Sequence, residues 1–326
     1  MPFSSVSPRP ASLNKPPHHE MASKSGSCVA QRSKRFWIIL LGIVLAIAIG
    51  LGVGLGVGLT RGSTGSGSES PGTVTPPPSN NTNPGIFWTP TAGVSWAIVL
   101  SSPINTTSPN ISVYDIDLFD NNASTIAGLH AQKHKVICYF SAGSLEEWRD
   151  DAGEFQKSDY GKGLEGWKGE YWLNTNSSNV RRIMSARLAL AARQGCDGVD
   201  PDNVDGYDND SGFDLSPSSA VDYMTFLASE SHSRNMSIGL KNAGAIVNAT
   251  LDMMQWEVNE QCVEFQECSL FQPFIAAGKP VFHIEYPTSA PSVTAATKSQ
   301  ICGDNSTDGF STLLKEMDLN EWVEYC

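Results

Sequence analysis

Residues 195–210 read GCDGVDPDNVDGYDND and gather six aspartates within sixteen positions. The stretch begins like the end of an apolar segment and finishes in turn-forming residues. Carboxylates in that place can accept or donate protons, attack as nucleophiles or bind cations. Three interpretations follow: a solvated loop, a calcium-binding loop, or catalytic carboxylates at the end of a barrel strand.

The common calcium loop reads D-x-[DN]-x-[DN]-G-x₅-E. Counted from Asp200 its fifth position is Val204, and counted from Asp205 its third position is Tyr207, so the pattern fails in both registers. Calcium bound in another geometry stays open. A solvated loop suits the later aspartates, but it does not suit Asp200 and Asp202, which follow a buried strand. Those two are therefore expected to be functional.

The alternation of side chains along a strand places Asp200 and Asp202 on one face. Pro201 has no N–H, so strand pairing should fail there and Asp202 should lie at the strand end. The run at 254–260 places Glu260 at the tip of a second strand in the same way. Two facing carboxylates, one protonated and one ionised, are what cleavage of a glycosidic bond requires.

Eight apolar runs with strand character position these side chains, and longer amphipathic runs alternate with them. About 240 residues in eight such units predict an α/β fold of the (β/α)₈ TIM-barrel type. A doubly wound open sheet is the alternative. No Gly-rich phosphate loop follows the first strand, which argues against nucleotide binding. The predicted strands are 95–101, 111–117, 135–141, 196–202, 236–242, 254–260, 280–286 and 310–316, and the predicted helices are 122–132, 179–195, 219–234, 245–254 and 263–278.

Polar and aromatic residues end several of these strands, and strand ends meet at one rim of a barrel. Such residues suit a sugar site, because aromatic faces stack on sugars and amides bind hydroxyls. Asp115 and Asp117 could instead cap a turn, Asn203 could be only a turn former, and Lys241 could be a paired rim charge. His283 has the wrong parity for the rim and is expected in the core.

The segment 36–59 contains no charged residue and is long enough to cross a bilayer as a helix. Three basic residues precede it and only Arg61 follows closely, which predicts a type II membrane anchor with a cytosolic N-terminus. A cleaved signal peptide is the alternative. Residues 1–35 are then a disordered cytosolic tail, 60–84 a Ser/Gly/Pro/Thr linker, and 85–326 an extracellular catalytic domain.

The charge divides sharply along the chain, whose formal net charge is −12. Residues 62–326 carry 15 basic and 33 acidic residues, a net charge of −18. An acidic surface repels nucleic acid and attracts polycations, although it can serve solubility alone. The charge therefore leaves two interpretations open, solubility alone or a cationic substrate, and it argues against nucleic acid as a partner.

Six cysteines follow the apolar segment, as expected for disulfides in an oxidising compartment. Cys262–Cys268 and Cys302–Cys326 are plausible pairs, whereas Cys138 and Cys196 could be buried thiols. No histidine forms a metal-type pair with a cysteine, so neither a metal nor another cofactor is expected. Nine glycosylation sequons indicate a cell-surface glycoprotein; they lie at Asn80, Asn105, Asn110, Asn122, Asn176, Asn209, Asn235, Asn248 and Asn305.

The motifs VICYFSAGSLEEWRDD, GCDGVDPDNVDGY, GLKNA, WEVNEQC and VFHIEY resemble those of glycoside hydrolase family 114, the endo-α-1,4-polygalactosaminidases, over residues 85–326. The resemblance implies a (β/α)₈ barrel that cuts α-1,4-linked galactosamine in galactosaminogalactan-type polymers. It implies Asp202 as nucleophile and Glu260 as acid/base in a retaining scheme. The residues it implies for the substrate cleft are Asp115, Asp117, Tyr139, Asp200, Asn203, Lys241, Asn242, Glu285 and Tyr286.

Two other functions stay open from the sequence. One is an anchored polysaccharide-binding module without turnover, and the other is a different endoglycosidase specificity on the same barrel. Whichever of the three functions applies, the protein is expected to be a monomer.

Overall fold

A curled parallel sheet organises residues 87–326, the part of the chain that the computed structural model describes. Eight parallel strands follow one another in chain order, and each corresponds to one predicted run. A short antiparallel strand, β12, pairs with the last of them. The strands of this sheet are β1 (Trp96–Val99), β2 (Val113–Asp117), β3 (Lys135–Ser141), β7 (Gly198–Asp202), β8 (Ser237–Lys241), β9 (Trp256–Glu260), β10 (Val281–Glu285), β11 (Ser311–Leu314) and β12 (Glu324–Tyr325).

Side chains span the seam between the first and last parallel strands. The Trp96 indole N–H donates to the Ser311 carbonyl at 2.7 Å, and the Ser311 hydroxyl donates to the Val94 carbonyl at 2.9 Å. Within residues 87–326 no backbone ladder joins β1 to β11. The sheet is therefore TIM-like and curled, and the predicted barrel is confirmed in strand number and order but not in backbone closure.

The helices are regular in the first half of the unit and short in the second. Ser177 caps α2, and Gly195 ends it in the left-handed region at φ 92°, as predicted for a C-terminal glycine. The two long helices predicted at 245–254 and 263–278 are each broken into short turns. The helices are α1 (Ala123–Ala131), α2 (Ser178–Gln194), α3 (Pro217–His232), α4 (Val247–Thr250), α5 (Cys262–Phe265), α6 (Gln272–Ala276) and α7 (Ala295–Cys302).

A three-stranded antiparallel sheet is inserted between β3 and α2, and the sequence patterns did not predict it. Its strands are β4 (Ser144–Glu146), β5 (Tyr160–Gly163) and β6 (Glu170–Leu173), in the order β4-β6-β5. Because β4 begins three residues after β3 ends, this insert lies beside the carboxyl end of β3.

Large aromatic side chains fill the interior of the curled sheet. The Trp256 ring lies over two glycines of neighbouring strands: a Cβ on Gly239 would lie 2.0 Å from its Nε1, and one on Gly198 would lie 2.4 Å from its ring. Trp96 and Phe282 pack in the same cluster. Apolar groups thus occupy the interior, and polar groups are left for the carboxyl ends of the strands.

Three disulfides cross-link the described residues: Cys138–Cys196, Cys262–Cys268 and Cys302–Cys326. The last two match the expected pairs. For Cys138 and Cys196, which the sequence left open as buried thiols, the structure shows a disulfide, because β3 and β7 are neighbours in the sheet and bring the two sulfurs together.

The predicted tail, membrane segment and linker lie outside the described residues. Within 87–326 no helix has both the length and the apolar character needed to span a bilayer. Every sequon asparagine in this range is exposed, as glycosylation requires. Asn80 lies outside it.

Candidate active site

Asp202 ends β7 and Glu260 ends β9, and the structure brings their carboxylates together over Lys241, the last residue of β8. The Lys241 Nζ lies 3.1 Å from Asp202 Oδ1 and 2.9 Å from Glu260 Oε2. The distance between Asp202 Oδ1 and Glu260 Oε2 therefore cannot exceed the sum of these two contact distances. The carboxylate side chains are 16% and 23% exposed and Lys241 is 2% exposed, so the acids face solvent above a buried cation.

Two tyrosines donate to the pair, one to each acid. The Tyr139 hydroxyl donates to Asp202 Oδ2 at 2.9 Å, and the Tyr286 hydroxyl donates to Glu260 Oε1 at 2.5 Å. Asn242 donates its side-chain N–H to Glu260 Oε2 at 3.0 Å and accepts the backbone N–H of Glu260 at 2.9 Å. These contacts fix the orientation of both carboxylates before any substrate binds.

The charge of Lys241 decides the ionisation of Glu260. Burial alone would raise the pKa of Glu260, but the Lys241 ammonium and the hydrogen bonds from Tyr286 and Asn242 outweigh it, so the pKa lies below its ordinary value. Burial would lower the pKa of Lys241, but the charges of Asp202 and Glu260 hold it well above its ordinary value. In the unliganded site Lys241 is charged and Glu260 is ionised.

Asp115 and Asp200 are a second pair of carboxyls, both fully buried, and their charges act on each other and on Lys241. Burial raises the pKa of Asp115 well above its ordinary value, and the charge of Asp200 adds to the rise. Burial raises the pKa of Asp200 to about 7 although Lys241 opposes the shift. This pair therefore holds a proton near neutral pH and limits the negative charge around Lys241.

The backbone turns into the left-handed region directly after three of these strands. Asn203, Asn242 and Gln261 follow Asp202, Lys241 and Glu260 with φ of 60°, 51° and 60°. Asparagine tolerates this conformation better than most residues. The turn at Asn203 points its N–H at Asp202 Oδ1, 2.7 Å away. Backbone strain of this kind is frequent at functional sites.

Two predicted cleft residues lie outside this cluster. Asp117 accepts two N–H groups of the turn that follows β2 and a two-pronged contact from Arg149, with the closer oxygen at 2.6 Å. Glu285 accepts from His283 at 2.8 Å and from the Val263 N–H at the start of α5. Both carboxylates anchor loops at the rim. His283 is fully buried, as predicted.

Residues of the insert extend the site and were missed. Glu170 on β6 accepts from the Ser144 hydroxyl at 2.9 Å, and Ser144 contacts Ser141 at 2.5 Å. The Asn203 side-chain N–H donates to Ser141 at 2.9 Å, which links the chain to the backbone beside Asp202. The strands of the insert are too short to show periodicity, so no sequence signal marked Glu170.

The described part of the chain offers few suitable ligands for a metal ion. The one His/Cys/Asp/Glu group there with ligand-like spacing is Cys262, Cys268 and His283. Both of its cysteines are bonded to each other, so no thiolate is free to bind an ion.

A carboxylate pair with its donors at the carboxyl end of a curled parallel sheet defines the class of protein as a glycosidase. The model of Glyco_hydro_114, glycoside-hydrolase family GH114, matches residues 77–326, and the chain belongs to this family. None of the curated proteins compared with the chain matches it.

Solved structures support the assignment. Ega3 of Aspergillus fumigatus, solved in complex with galactosamine, is 53% identical with a TM-score of 0.72, and the match covers 73% of this chain and 97% of Ega3. The glycoside hydrolase domain of PelA from Pseudomonas aeruginosa is 9% identical with a TM-score of 0.56, over 70% of this chain and 98% of that domain. The PelA match supports the fold alone.

Proposed function

We propose that this chain is an endo-acting hydrolase that cleaves α-1,4-linked galactosamine in galactosaminogalactan-type polysaccharide on a (β/α)₈ barrel. The observation that carries the proposal is the pair of solvent-facing carboxylates, Asp202 and Glu260, that share one buried lysine. The galactosamine complex of the 53% identical Ega3 supports an amino sugar as substrate.

The short separation of the two carboxylates favours a retaining mechanism. Both carboxylates contact the same Lys241 Nζ, at 3.1 Å and 2.9 Å, so the separation of the contacting oxygens is at most the sum of these two distances. Retaining enzymes hold their carboxyl groups about 5–5.5 Å apart, whereas inverting enzymes leave about 6.5–9.5 Å for a water molecule. In this scheme Asp202 attacks the anomeric carbon, and Glu260 protonates the leaving oxygen and then activates water.

The lowered pKa of Glu260 sets a condition on that scheme. An acid must carry a proton, and in the unliganded site the contacts with Lys241 and Tyr286 favour the ionised form. A sugar that enters between the carboxylates and lengthens the Lys241–Glu260 contact would raise the pKa of Glu260. Tyr139 and the Asn203 N–H keep Asp202 oriented for attack meanwhile.

The electrostatics of the chain suit a cationic polymer. The segment 62–326 has a net charge of −18, and each galactosamine unit with a free amine carries a positive charge when protonated. The apolar segment 36–59 would hold the catalytic domain at the outer cell surface.

Substitution of the carboxylates tests the proposal. Asp202→Asn and Glu260→Gln should each reduce hydrolysis of galactosamine oligomers at least about 100-fold, because acid–base catalysis alone contributes about 10²–10⁴-fold. The measurement is the release of reducing ends by residues 85–326 expressed as a soluble domain. Asp210→Asn, an exposed aspartate of the same segment, is the control and should stay active.

The outcomes also separate the alternatives. A domain that binds the polymer but releases no reducing ends is the binding module without turnover. Full activity in either carboxylate variant would refute the catalytic assignment. Release from a different polysaccharide in preference to polygalactosamine would indicate another endoglycosidase specificity.

A further inference from the structure

Glu170 lies beside the catalytic pair on an element of its own. Its strand, β6, pairs with β4 so that Glu170 lies opposite Glu146, and β4 follows β3 directly. The hydrogen-bond chain through Ser144, Ser141 and Asn203 ends at the residue that holds Asp202 by its N–H. Glu170 therefore borders the Asp202 side of the cleft.

Glu170 has no cation in direct contact, although the charge of Arg149 acts on it from a greater distance. Lys241 pairs with both catalytic carboxylates, and Arg149 pairs with Asp117 and with Glu146 at 2.7 Å. No ion pair in residues 87–326 includes Glu170, whose carboxyl accepts the neutral Ser144 hydroxyl, and the residue as a whole is 8% exposed. Burial raises its pKa to about 8, and the charge of Glu146 adds to the rise. A carboxyl in this state gains most from a cation supplied from outside the protein.

The proposed substrate brings such a cation, because each galactosamine unit without an acetyl group bears an ammonium. We propose that Glu170 receives the ammonium of the galactosamine unit bound on the Asp202 side of the cleft and so selects the deacetylated sugar. This inference rests on the proposed function and names the residue that sets its specificity. An acetylated nitrogen is neutral and larger, and it would leave Glu170 without its cation.

Binding of an ammonium at this position is coupled to the ionisation of Glu170, and this coupling determines that a proton is released and not taken up. Free Glu170 is protonated below about pH 8. A bound ammonium stabilises the carboxylate and lowers the pKa of Glu170, so galactosamine binding in mildly acidic solution should release a proton. Galactose, which lacks the amine, should release none from Glu170.

The experiment compares Glu170→Gln with wild type in the soluble domain of residues 85–326. Proton release on binding galactosamine and galactose is measured by calorimetry in two buffers of different ionisation enthalpy. Glu165→Gln, an exposed glutamate in the same β5–β6 hairpin, is the matched control. In the wild type and in Glu165→Gln, galactosamine should release more protons than galactose, and this difference should disappear in Glu170→Gln.

Steady-state kinetics provide a second test of the role of Glu170. The ratio of kcat/KM for deacetylated over acetylated oligomers should fall about tenfold or more in Glu170→Gln, mainly through KM, as expected when a charged hydrogen bond is lost. Glutamine can still accept from Ser144, so the melting temperature should change little. If the variant unfolds, Glu170→Asp replaces it and should keep proton release with weaker binding.

The outcomes separate this inference from the proposed function. A wild-type domain that cuts no galactosamine polymer overturns the proposed function. An active wild type whose preference and proton release are unchanged in Glu170→Gln overturns the assignment of Glu170 and leaves the function standing.

Discussion

Lys241 is the residue on which the charge balance of the site depends. Its Nζ contacts both carboxylates of the proposed catalytic pair, Asp202 and Glu260, and the buried Asp115 and Asp200 lie close by. Removal of one partner from a buried ion pair leaves uncompensated charge and typically costs about 3–5 kcal/mol. At this site the lysine also holds down the pKa of Glu260, so its loss should affect both stability and catalysis.

Lys241→Met is expected to raise the pKa of Glu260, because the largest opposing charge is gone while burial remains. One limb of the pH profile of kcat/KM should then move to higher pH. A shift of the alkaline limb identifies Glu260 as the acid. Because Lys241 also contacts Asp202, a shift of the acidic limb alone does not distinguish the two carboxylates.

The control is Lys162→Met, which removes an exposed lysine paired with Asp210. Its pH profile should match that of the wild type. Two unmoved limbs in Lys241→Met would contradict the coupling between Lys241 and Glu260.

Alternation along the strands was enough to predict most of this cluster from the sequence. Strand-end position and parity gave Asp202 and Glu260, and strand ends also gave Tyr139, Lys241 and Tyr286. The same logic could not separate Asp117, because a carboxylate at a strand end can equally accept the N–H groups of the next turn. Whether Asp117 faces the cleft or anchors a turn depends on its contact with Arg149, which lies in a loop 32 residues later in the chain.

At the scale of elements, the sequence predicted the strands well and the helices after β8 poorly. All eight parallel strands fall within predicted runs. The predicted helix at 263–278 is broken where Gln266 takes φ 59° and the Cys262–Cys268 bridge closes a short loop. Hydrophobic periodicity carries no trace of the left-handed residue, but the expected Cys262–Cys268 pair did signal the break, because a regular helix separates residues six apart by about 9 Å, too far for a disulfide.

Gly143, between β3 and the first strand of the insert, lies tightly against the residue that follows β7. A Cβ on Gly143 would lie 1.7 Å from the Asn203 carbonyl oxygen, so no side chain fits without a shift of the backbone. Gly143→Ala should therefore displace Asn203 and, with it, Asp202. Overpacking of this kind costs about 1–3 kcal/mol, and activity should fall further than stability does.

Gly153→Ala is the matched control, because a Cβ there meets no atom within 4 Å. Thermal melting and reducing-end release are measured for both variants. A Gly143→Ala domain with wild-type activity would show that the close approach to Asn203 is dispensable.

At the scale of the whole molecule, composition makes predictions that local patterns do not. The division between a basic N-terminal segment and an acidic remainder, with eight exposed sequons in the described residues, leads to the prediction of a cell-surface location, which stays a prediction. The membrane anchor at 36–59 stays a prediction. The charge division carries a further consequence for the reaction, because a net charge of −18 over residues 62–326 acts on a cationic polymer at long range.

Salt should therefore weaken cleavage of the deacetylated polymer. The Debye length falls from about 30 Å at 0.01 M to about 3 Å at 1 M ionic strength, so only short contacts such as that of Glu170 survive at high salt. KM for the deacetylated polymer should rise across that range, while kcat and the cleavage of acetylated polymer change little. Because the catalytic pair is partly buried and paired with Lys241, its chemistry is shielded from the added ions. An equal loss on both polymers would mean that salt perturbs the site itself and that the acidic surface does not recruit the substrate.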